Sequence, residues 1–282
     1  MRKFLIITNR FKDVEQRHTE KVCAFLHAKG AKINRVLIDR KVKNIDKGLL
    51  EEVDCAILLG GDGTMMQFAN QLSAAGIPML GINLGHMGYL AEVDCNNVEA
   101  ALNRVFAGDY SIQERMMITG HVQKKGKTVL SQNALNDIVI TRGGILQVLN
   151  FNLYINRKFL KNYNADGVIL ATPTGSTAYN LSAGGPIADP GSELLIVTPV
   201  SPHTLMNRSL VLKATDNVEI EVLMTHEEET EDIMEAHFDG KSAIKLSVGD
   251  RISVSKSEQK VKMIRLNEIS FLETLHNKMK EI

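Results

Sequence analysis

The sequence contains no tryptophan, only three cysteines among 282 residues, and no excess of either charge. Cys23, Cys55 and Cys95 stand singly, without a CxxC or Cys/His pair, which favours buried thiols in a reducing cytoplasm over a metal site. Lys and Arg total 33, as do Asp and Glu, so the basic surplus of nucleic-acid binders is missing. No segment approaches the roughly 20 apolar residues of a membrane span, and the apolar run at 4–7 is too short for a signal peptide. We therefore expect a cytoplasmic protein with neither a nucleic-acid nor a membrane partner.

The chain is long enough for two domains of about 150 residues each. In its first hundred residues, strand-length apolar runs alternate with segments of helical periodicity. Such alternation predicts a parallel sheet covered by helices on both faces. The predicted strands are 4–8, 33–38, 55–59 and 77–82, and the predicted helices are 14–29 and the segment from Met65 to Gly76.

From about Met116 the hydrophobic period drops to two. Apolar residues alternate with polar ones over 149–155, 218–222 and 244–248, as in half-buried antiparallel strands. Turns are predicted at 124–127 and 142–144, and a last helix at 271–280. The second half is therefore predicted to be rich in β-structure.

Residues 60–64 read Gly-Gly-Asp-Gly-Thr between a predicted strand and a predicted helix. Three glycines let the backbone approach a ligand, and the helix start adds a positive dipole end, so the segment suits phosphates. A tight turn with Asp62 as helix cap is the alternative. A carboxylate beside phosphates needs a task, either metal binding or proton abstraction. The segment matches neither Walker A nor the Gly-x-Gly-x-x-Gly fingerprint, which disfavours a dehydrogenase.

A second candidate is the hydroxyl-rich segment 172–179, in a region that holds five of the six prolines. A short helix is predicted over 178–183, with Ser176 or Thr177 as N-cap and a glycine stop after it. Hydroxyls and open N–H groups suit ribose and phosphate oxygens, and Tyr179 is placed to stack on a base. Simple helix capping and a core aromatic are the alternatives.

The dipeptide Asn136–Asp137 is a third candidate, at the start of a predicted strand. An amide and a carboxylate together can donate to and accept from a ribose diol. A turn that merely opens the strand is the alternative.

Together these motifs resemble the NAD kinase family. Gly-Gly-Asp-Gly-Thr occurs across a wider superfamily with lipid kinases and phosphofructokinases, and Asn136–Asp137 with the 172–179 segment narrows the resemblance to NAD kinases. It implies transfer of the γ-phosphoryl of ATP to the 2′-hydroxyl of the adenosine ribose of NAD, with a divalent cation such as Mg²⁺ accompanying ATP. It also implies a Rossmann-like α/β domain over 1–112, an antiparallel β-sandwich that binds NAD over 113–256, and a tail over 257–282 that returns to the first domain.

By the same resemblance, Asp62 is the general base and no protein-bound metal is expected. The implied NAD-binding residues are Asp62, Gly63, Asn136, Asp137, Asn164, Asp166, Thr177, Ala178, Tyr179, Asn180, Leu181 and Ser182. The implied donor-phosphate residues are Gly60, Gly61, Gly63 and Thr64. The partners implied are NAD, ATP and further copies of the chain, in a homodimer or homotetramer whose active site is shared between subunits.

Four positions differ from the family's usual residue: Asp137 replaces Glu, Asn164 a basic residue, Gln147 a His and Lys241 a Gln. Two rival functions fit parts of the pattern. A lipid kinase would need an apolar or basic membrane-facing surface, which the sequence does not display, and an NAD-binding sensor would have no use for Asp62. The motifs do not distinguish ATP from polyphosphate as donor, or NAD from NADH as acceptor.

Overall fold

The computed structural model describes residues 1–39, 44–85, 88–143, 148–204, 207–224, 234–266 and 270–280. Two compact units are present, one formed by 1–114 with 261–282 and the other by 115–260. The domain boundaries expected from the sequence, after residues 112 and 256, stay predictions.

Helices and short strands dominate the first unit, and longer strands the second. The helices are α1 (Arg17–Ala28), α2 (Lys47–Leu50), α3 (Asp62–Ala74), α4 (Val98–Ala107), α5 (Tyr179–Ser182) and α6 (Phe271–Lys280). The strands are β1 (Lys3–Asn9), β2 (Lys32–Ile38), β3 (Cys55–Gly60), β4 (Met79–Asn83), β5 (Val93–Asp94), β6 (Ser111–Lys124), β7 (Lys127–Ala134), β8 (Asp137–Arg142), β9 (Leu149–Ile155), β10 (Lys158–Ala165), β11 (Gly167–Ala171), β12 (Leu194–Val200), β13 (Leu210–Lys213), β14 (Val218–Val222), β15 (Met234–Phe238), β16 (Ser242–Leu246) and β17 (Arg251–Arg265).

The first unit contains the predicted parallel sheet. Strands β2, β1, β3 and β4 lie side by side in that order and all run parallel. Every residue of β3 is buried, as expected for a central strand with helices on both faces. Apolar side chains of α1 and α4 pack with those of the sheet into one core, which includes Phe4, Ile57 and Leu80. The prediction of a Rossmann-like α/β unit is confirmed.

The second unit is an antiparallel sandwich. One sheet has the order β10-β9-β14-β17 with β6 and β7 attached, and the other has the order β13-β12-β11-β8-β15-β16. Side chains from both sheets share one core, with Phe151 and Val218 on one side and Ile138, Leu170 and Phe238 on the other. Because each strand contributes only alternate residues to this core, the period of two in the sequence is explained.

The alternation predicted over 244–248 is wrong at its last residue. Strand β16 ends at Leu246, and Val248 is 46% exposed beyond it. Gly249, with φ +85°, lies in the turn that leads the chain into β17. Hydrophobic periodicity alone does not reveal where such a turn ends a strand.

Within the described ranges, none of the helices combines the length and apolar character needed to cross a bilayer. All three cysteines are free thiols, two of them buried.

Candidate functional site

The Gly-Gly-Asp-Gly-Thr segment joins the end of a buried strand to the start of a helix. Gly60 is the last residue of β3, and α3 begins at Asp62, two residues before the predicted start near Thr64. The N–H groups of Thr64 and Met65 both donate to the carbonyl of Gly61, at 2.8 and 3.2 Å. The N–H groups that precede them have no partner inside the helix, so they are available to an anion.

The glycines of this loop are required for different reasons. A methyl group on Gly60 would overlap Oγ1 of Thr64, so packing within the protein demands glycine there. A methyl group on Gly63 would meet no atom within 4 Å, and this residue is exposed. The fold therefore does not need glycine at 63, whereas a ligand in close contact with the backbone would.

The carboxylate of Asp62 does not cap its own helix, as the alternative interpretation supposed. Its Oδ2 accepts the N–H of Tyr89 at 2.7 Å, and its Oδ1 accepts those of Leu90 and Ala91 at 3.1 and 3.3 Å. These bonds fix the carboxylate near the first turn of α3. A carboxylate offers about four acceptor positions, so the bonds from described residues leave one, on Oδ2, for a ligand hydroxyl.

The residues that hold Asp62 were not predicted from the sequence. A methyl group on Gly88 would overlap the Asp62 carboxylate, so this glycine permits the close approach. The segment 88–91, which binds the carboxylate, follows β4. Its residue Tyr89 is 27 positions from Asp62 along the chain. The glycine at 88 was the only available signal, and nothing in its sequence neighbourhood connects it with Asp62.

Asn136 and Asp137 are organised by a third residue, Asp239, which sequence reasoning also missed. The Asp239 carboxylate accepts the N–H groups of Leu135, Asn136 and Asp137, at 2.9, 2.8 and 3.3 Å. The N–H of Asp239 donates to the carbonyl of Asp137 at 3.0 Å. The side chains of Asn136 and Asp137 accept or donate no hydrogen bond with any residue in the described part of the chain. They are therefore free to bind a ligand.

Two acidic groups are thus close together in a buried place. Burial, and secondly the charge of Asp239, raises the pKa of Asp137 to about 7. Burial likewise raises the pKa of Asp239, although its three backbone donors oppose that shift. Asp137 is only 6% exposed, so desolvation is the dominant cause.

The hydroxyl-rich segment packs directly against Asn136. The hydroxyl of Thr172 donates to the carbonyl of Leu135 at 2.6 Å and accepts the N–H of Gly175 at 3.1 Å. A methyl group on Gly175 would overlap the carbonyl of Asn136. The structure therefore brings the second and third sequence motifs together at one end of the sheet that contains β8 and β11.

The predicted N-caps of the short helix are wrong. Residues Thr174–Thr177 form a 3-10 turn, and α5 follows with Ala178 at its N-cap position. The hydroxyl of Ser176 instead binds the backbone of Ala188, accepting its N–H at 3.0 Å. The predicted stop is confirmed, because Gly184 has φ +80° directly after Ala183, the C-cap residue of α5.

The residues of α5 divide into buried and exposed sets. Asn180 is fully buried, and its amide binds the carbonyls of Ser176 and Pro186 and the hydroxyl of Thr198. By contrast, Tyr179 and Leu181 are 45% and 41% exposed, and Ser182 is also exposed. Tyr179 is therefore not a core aromatic. Both polar atoms of the Asn180 side chain form hydrogen bonds within the protein, so Asn180 has a structural role.

Asn164 and Asp166 lie apart from this group. Asp166 precedes β11 and accepts a hydrogen bond from Arg142 at 2.8 Å, whereas the 172–177 turn follows the other end of that strand. Six residues of extended chain separate Asp166 from Thr172 by about 20 Å. Asn164 is exposed near the end of β10. Within one chain, the predicted NAD-binding residues of the second unit therefore form two separate groups.

No group of three or more His, Cys, Asp or Glu side chains within the described ranges is arranged to hold a metal ion. Gln147, singled out in the sequence, lies outside those ranges.

Comparison with known proteins covers most of the chain. Residues 4–110 match the family model for the ATP-NAD kinase N-terminal domain, and residues 135–266 match that for the C-terminal domain. The NAD kinase of Lachnospira eligens is 40% identical, with 99% of this chain and 100% of that protein aligned. The NAD kinase of Thermoanaerobacter pseudethanolicus is 38% identical, with both chains aligned in full.

Two solved structures share the fold. Yeast NADH kinase complexed with NADH superimposes with a TM-score of 0.89 at 22% identity, over 99% of this chain and 88% of that one. An NAD kinase from Archaeoglobus fulgidus in complex with ATP gives a TM-score of 0.77 at 20% identity, over 99% of each chain.

Proposed function

The chain belongs to the NAD kinase family and is a phosphotransferase, and we propose that Asp62 is its general base. In this proposal the γ-phosphoryl group of ATP passes to the 2′-hydroxyl of the adenosine ribose of NAD, and NADP is formed. The observation that carries the proposal is the Asp62 carboxylate, fixed at the start of α3 with one acceptor position left on Oδ2.

The chemistry asks mainly for alignment and charge neutralisation, since phosphoryl transfer proceeds through a loose transition state. A ribose hydroxyl attacks more readily when its proton has an acceptor, and a carboxylate within about 3 Å provides one. The open N–H groups before Thr64 would bind the donor phosphates. The space at Gly63 supports this role, because a side chain there would occupy the place of a phosphate.

In this proposal, NAD binds to side chains of the second unit that are exposed or that form no hydrogen bond with described residues. The Asn136 amide and the Asp137 carboxyl would hold ribose hydroxyls, and the Tyr179 ring would stack on a base. Thr177, Ala178, Leu181 and Ser182 would line the same region. For Asn180, whose side chain is used inside the protein, the proposed contribution is to hold this region in shape.

A divalent cation such as Mg²⁺ is proposed to arrive on the ATP phosphates. Mg²⁺ prefers oxygen ligands and retains several waters, so phosphate oxygens together with waters suffice to carry it into the site. When bound, the ion neutralises charge that develops on the phosphates.

We also propose a cytoplasmic homodimer or homotetramer. Asp137 and Asp166 of one chain lie at opposite ends of β11, so a ribose held at Asp137 is distant from Asp166 of the same chain. A second subunit that supplies Asp166 and Asn164 would complete the site.

The test is the substitution Asp62→Asn, which keeps the size and removes the base. We expect NADP formation from NAD and ATP-Mg to fall at least a hundredfold, with NAD binding retained. The midpoint of thermal unfolding should fall slightly, because the asparagine amide nitrogen cannot accept a backbone N–H as a carboxylate oxygen does. Asp109→Asn, which removes an exposed carboxylate of the same unit, is the matched control and should retain activity. Turnover near that of wild type in Asp62→Asn would remove Asp62 from the mechanism, and NAD binding without any turnover in wild type would favour a sensor.

A further inference from the structure

The turn after β1 is fixed to the phosphate-binding loop. The amide of Asn9 donates to Oγ1 of Thr64 at 3.3 Å, and the carbonyl of Asn9 accepts the N–H groups of Lys12 and Asp13, both at 3.0 Å. The buried carboxylate of Asp13 in turn accepts the N–H and hydroxyl of Thr19 in α1, at 2.9 and 2.7 Å. Lys12 is thereby carried on a turn that is anchored on both sides.

The Lys12 ammonium lies over the glycine loop. A methyl group placed on Gly61 would be 2.7 Å from Nζ of Lys12, and one on Gly85 would be 3.8 Å from it. Lys12 is exposed, and its side-chain ammonium forms no hydrogen bond or ion pair with any residue that the structure describes. A lysine without a partner, held against open helix N–H groups, adds positive charge where an anion would bind.

A buried acceptor lies next to this lysine. Asn83 is 1% exposed at the end of β4, and its Oδ1 has no hydrogen-bond partner among the residues that the structure describes. Its amide nitrogen is already used, donating to the carbonyl of Gly85 at 2.7 Å. The same methyl position on Gly61 is 4.0 Å from this oxygen. An unpaired buried oxygen is costly, and the Lys12 ammonium is a donor that lies close to the same methyl position on Gly61.

We propose that Lys12 binds the phosphates of the phosphoryl donor, with Asn83 as the residue that positions it. One N–H of the ammonium would bond to Oδ1 of Asn83, and the other two would face the phosphates over Gly61. In Walker A proteins the lysine that reaches the phosphates follows the glycine loop in sequence, and here it comes from a different segment. The inference rests on the proposed function, since that function supplies the polyphosphate donor.

Kinetics of Lys12→Ala, Lys12→Arg and Lys32→Ala test the proposal. Lys32 is an exposed lysine on β2 of the same unit. Its substitution removes one positive charge, as Lys12→Ala does, but outside the glycine loop. We expect Lys12→Ala to lower kcat/KM for ATP-Mg about ten- to a hundredfold, because a charge-assisted hydrogen bond to phosphate is lost. The KM for NAD should change less than about twofold, Lys12→Arg should recover part of the loss, and Lys32→Ala should resemble wild type.

A second measurement does not depend on turnover. Calorimetric titration with inorganic tripolyphosphate reports on the phosphate site alone, and its affinity should fall in Lys12→Ala but not in Lys32→Ala. If wild type makes NADP and Lys12→Ala equals it in both measurements, the role of Lys12 is wrong and the proposed function stands. If wild type makes no NADP, the proposed function fails, and the titration alone decides on Lys12. Equal loss in both lysine variants would also overturn the proposal.

Discussion

Asp137 places a titrating carboxyl in a buried position beside a second acid. Its pKa is raised from an ordinary 3.8 to about 7, chiefly by burial. Between these two values the native protein binds more protons than the unfolded chain does, so the free energy of unfolding falls as the pH rises from about 4 to about 7. For a single proton the limit is about 1.4 kcal/mol per pH unit.

Asp137→Asn should therefore make this pH dependence shallower and stabilise the variant relative to wild type most above pH 7. Urea unfolding at pH 5, 6, 7 and 8 measures the difference. Glu258→Gln changes an exposed carboxyl of the same unit and is the control. Parallel curves for wild type and Asp137→Asn across this range would show that Asp137 does not titrate there.

At the scale of the residue, the sequence predicts candidates that belong to compact motifs, and their roles stay predictions. Asp62 stands out because a carboxylate among glycines is conspicuous. Asp239 and Gly88 could not be found in this way, since each acts on a residue that is distant along the chain. Asp239 contacts a turn about a hundred residues before it. Such contacts are fixed by strand pairing, and pairing partners are not visible in a local pattern.

Among the secondary-structure elements, α5 and the turn before it were predicted only in part. Periodicity and glycine signals predict its place and its end, because Gly184 takes up a left-handed conformation. They do not predict its caps. Serine is a common N-cap residue, but the hydroxyl of Ser176 is hydrogen-bonded to the backbone of Ala188 instead of to the helix. Longer elements such as β3 and α3 are predicted more securely, since many apolar residues share in each pattern.

Two neighbouring residues of α5 offer a matched pair for stability. Asn180→Ala would leave the buried carbonyl of Ser176 and the carbonyl of Pro186 without their donor, so the free energy of unfolding should fall by about 2–4 kcal/mol. Leu181→Ala removes an exposed side chain and should stay within about 0.5 kcal/mol of wild type. Urea denaturation of both variants measures the two values. A small loss in Asn180→Ala would mean that water or a backbone shift replaces these bonds.

For the whole molecule, the separation of Asp166 from Asp137 bears on assembly. If a neighbouring subunit completes each site, Asp62→Asn and Asp166→Asn should each be nearly inactive alone. Mixed subunits would then rebuild some intact sites, and about a quarter of wild-type activity should return in a random mixture of dimers. The measurement is NADP formation after joint unfolding and refolding, with each variant treated alone as control. No recovery in a mixture shown to contain hybrid dimers would place Asp166 with Asp62 of its own chain, or outside the site.

The two fold classes were predictable at this scale, because the change of hydrophobic period from helical to two marks the change from α/β unit to sandwich. The return of the chain to the first unit was implied by the family resemblance and is not visible in the hydrophobic period. Residues 261–282 rejoin the first unit, and there Met263 of β17 lies parallel to Met79 of β4. That pairing links distant parts of the chain and leaves no local trace in the sequence.

The crowding of Gly88 against the Asp62 carboxylate has a consequence for how the gene can vary. Position 88 contributes no functional group, yet any added atom there would push an acid that lies more than two dozen residues away. Selection would remove substitutions at 88 because they reduce turnover rather than because they impair folding. In a mutational scan, this inert position would therefore share the tolerance profile of a reactive one.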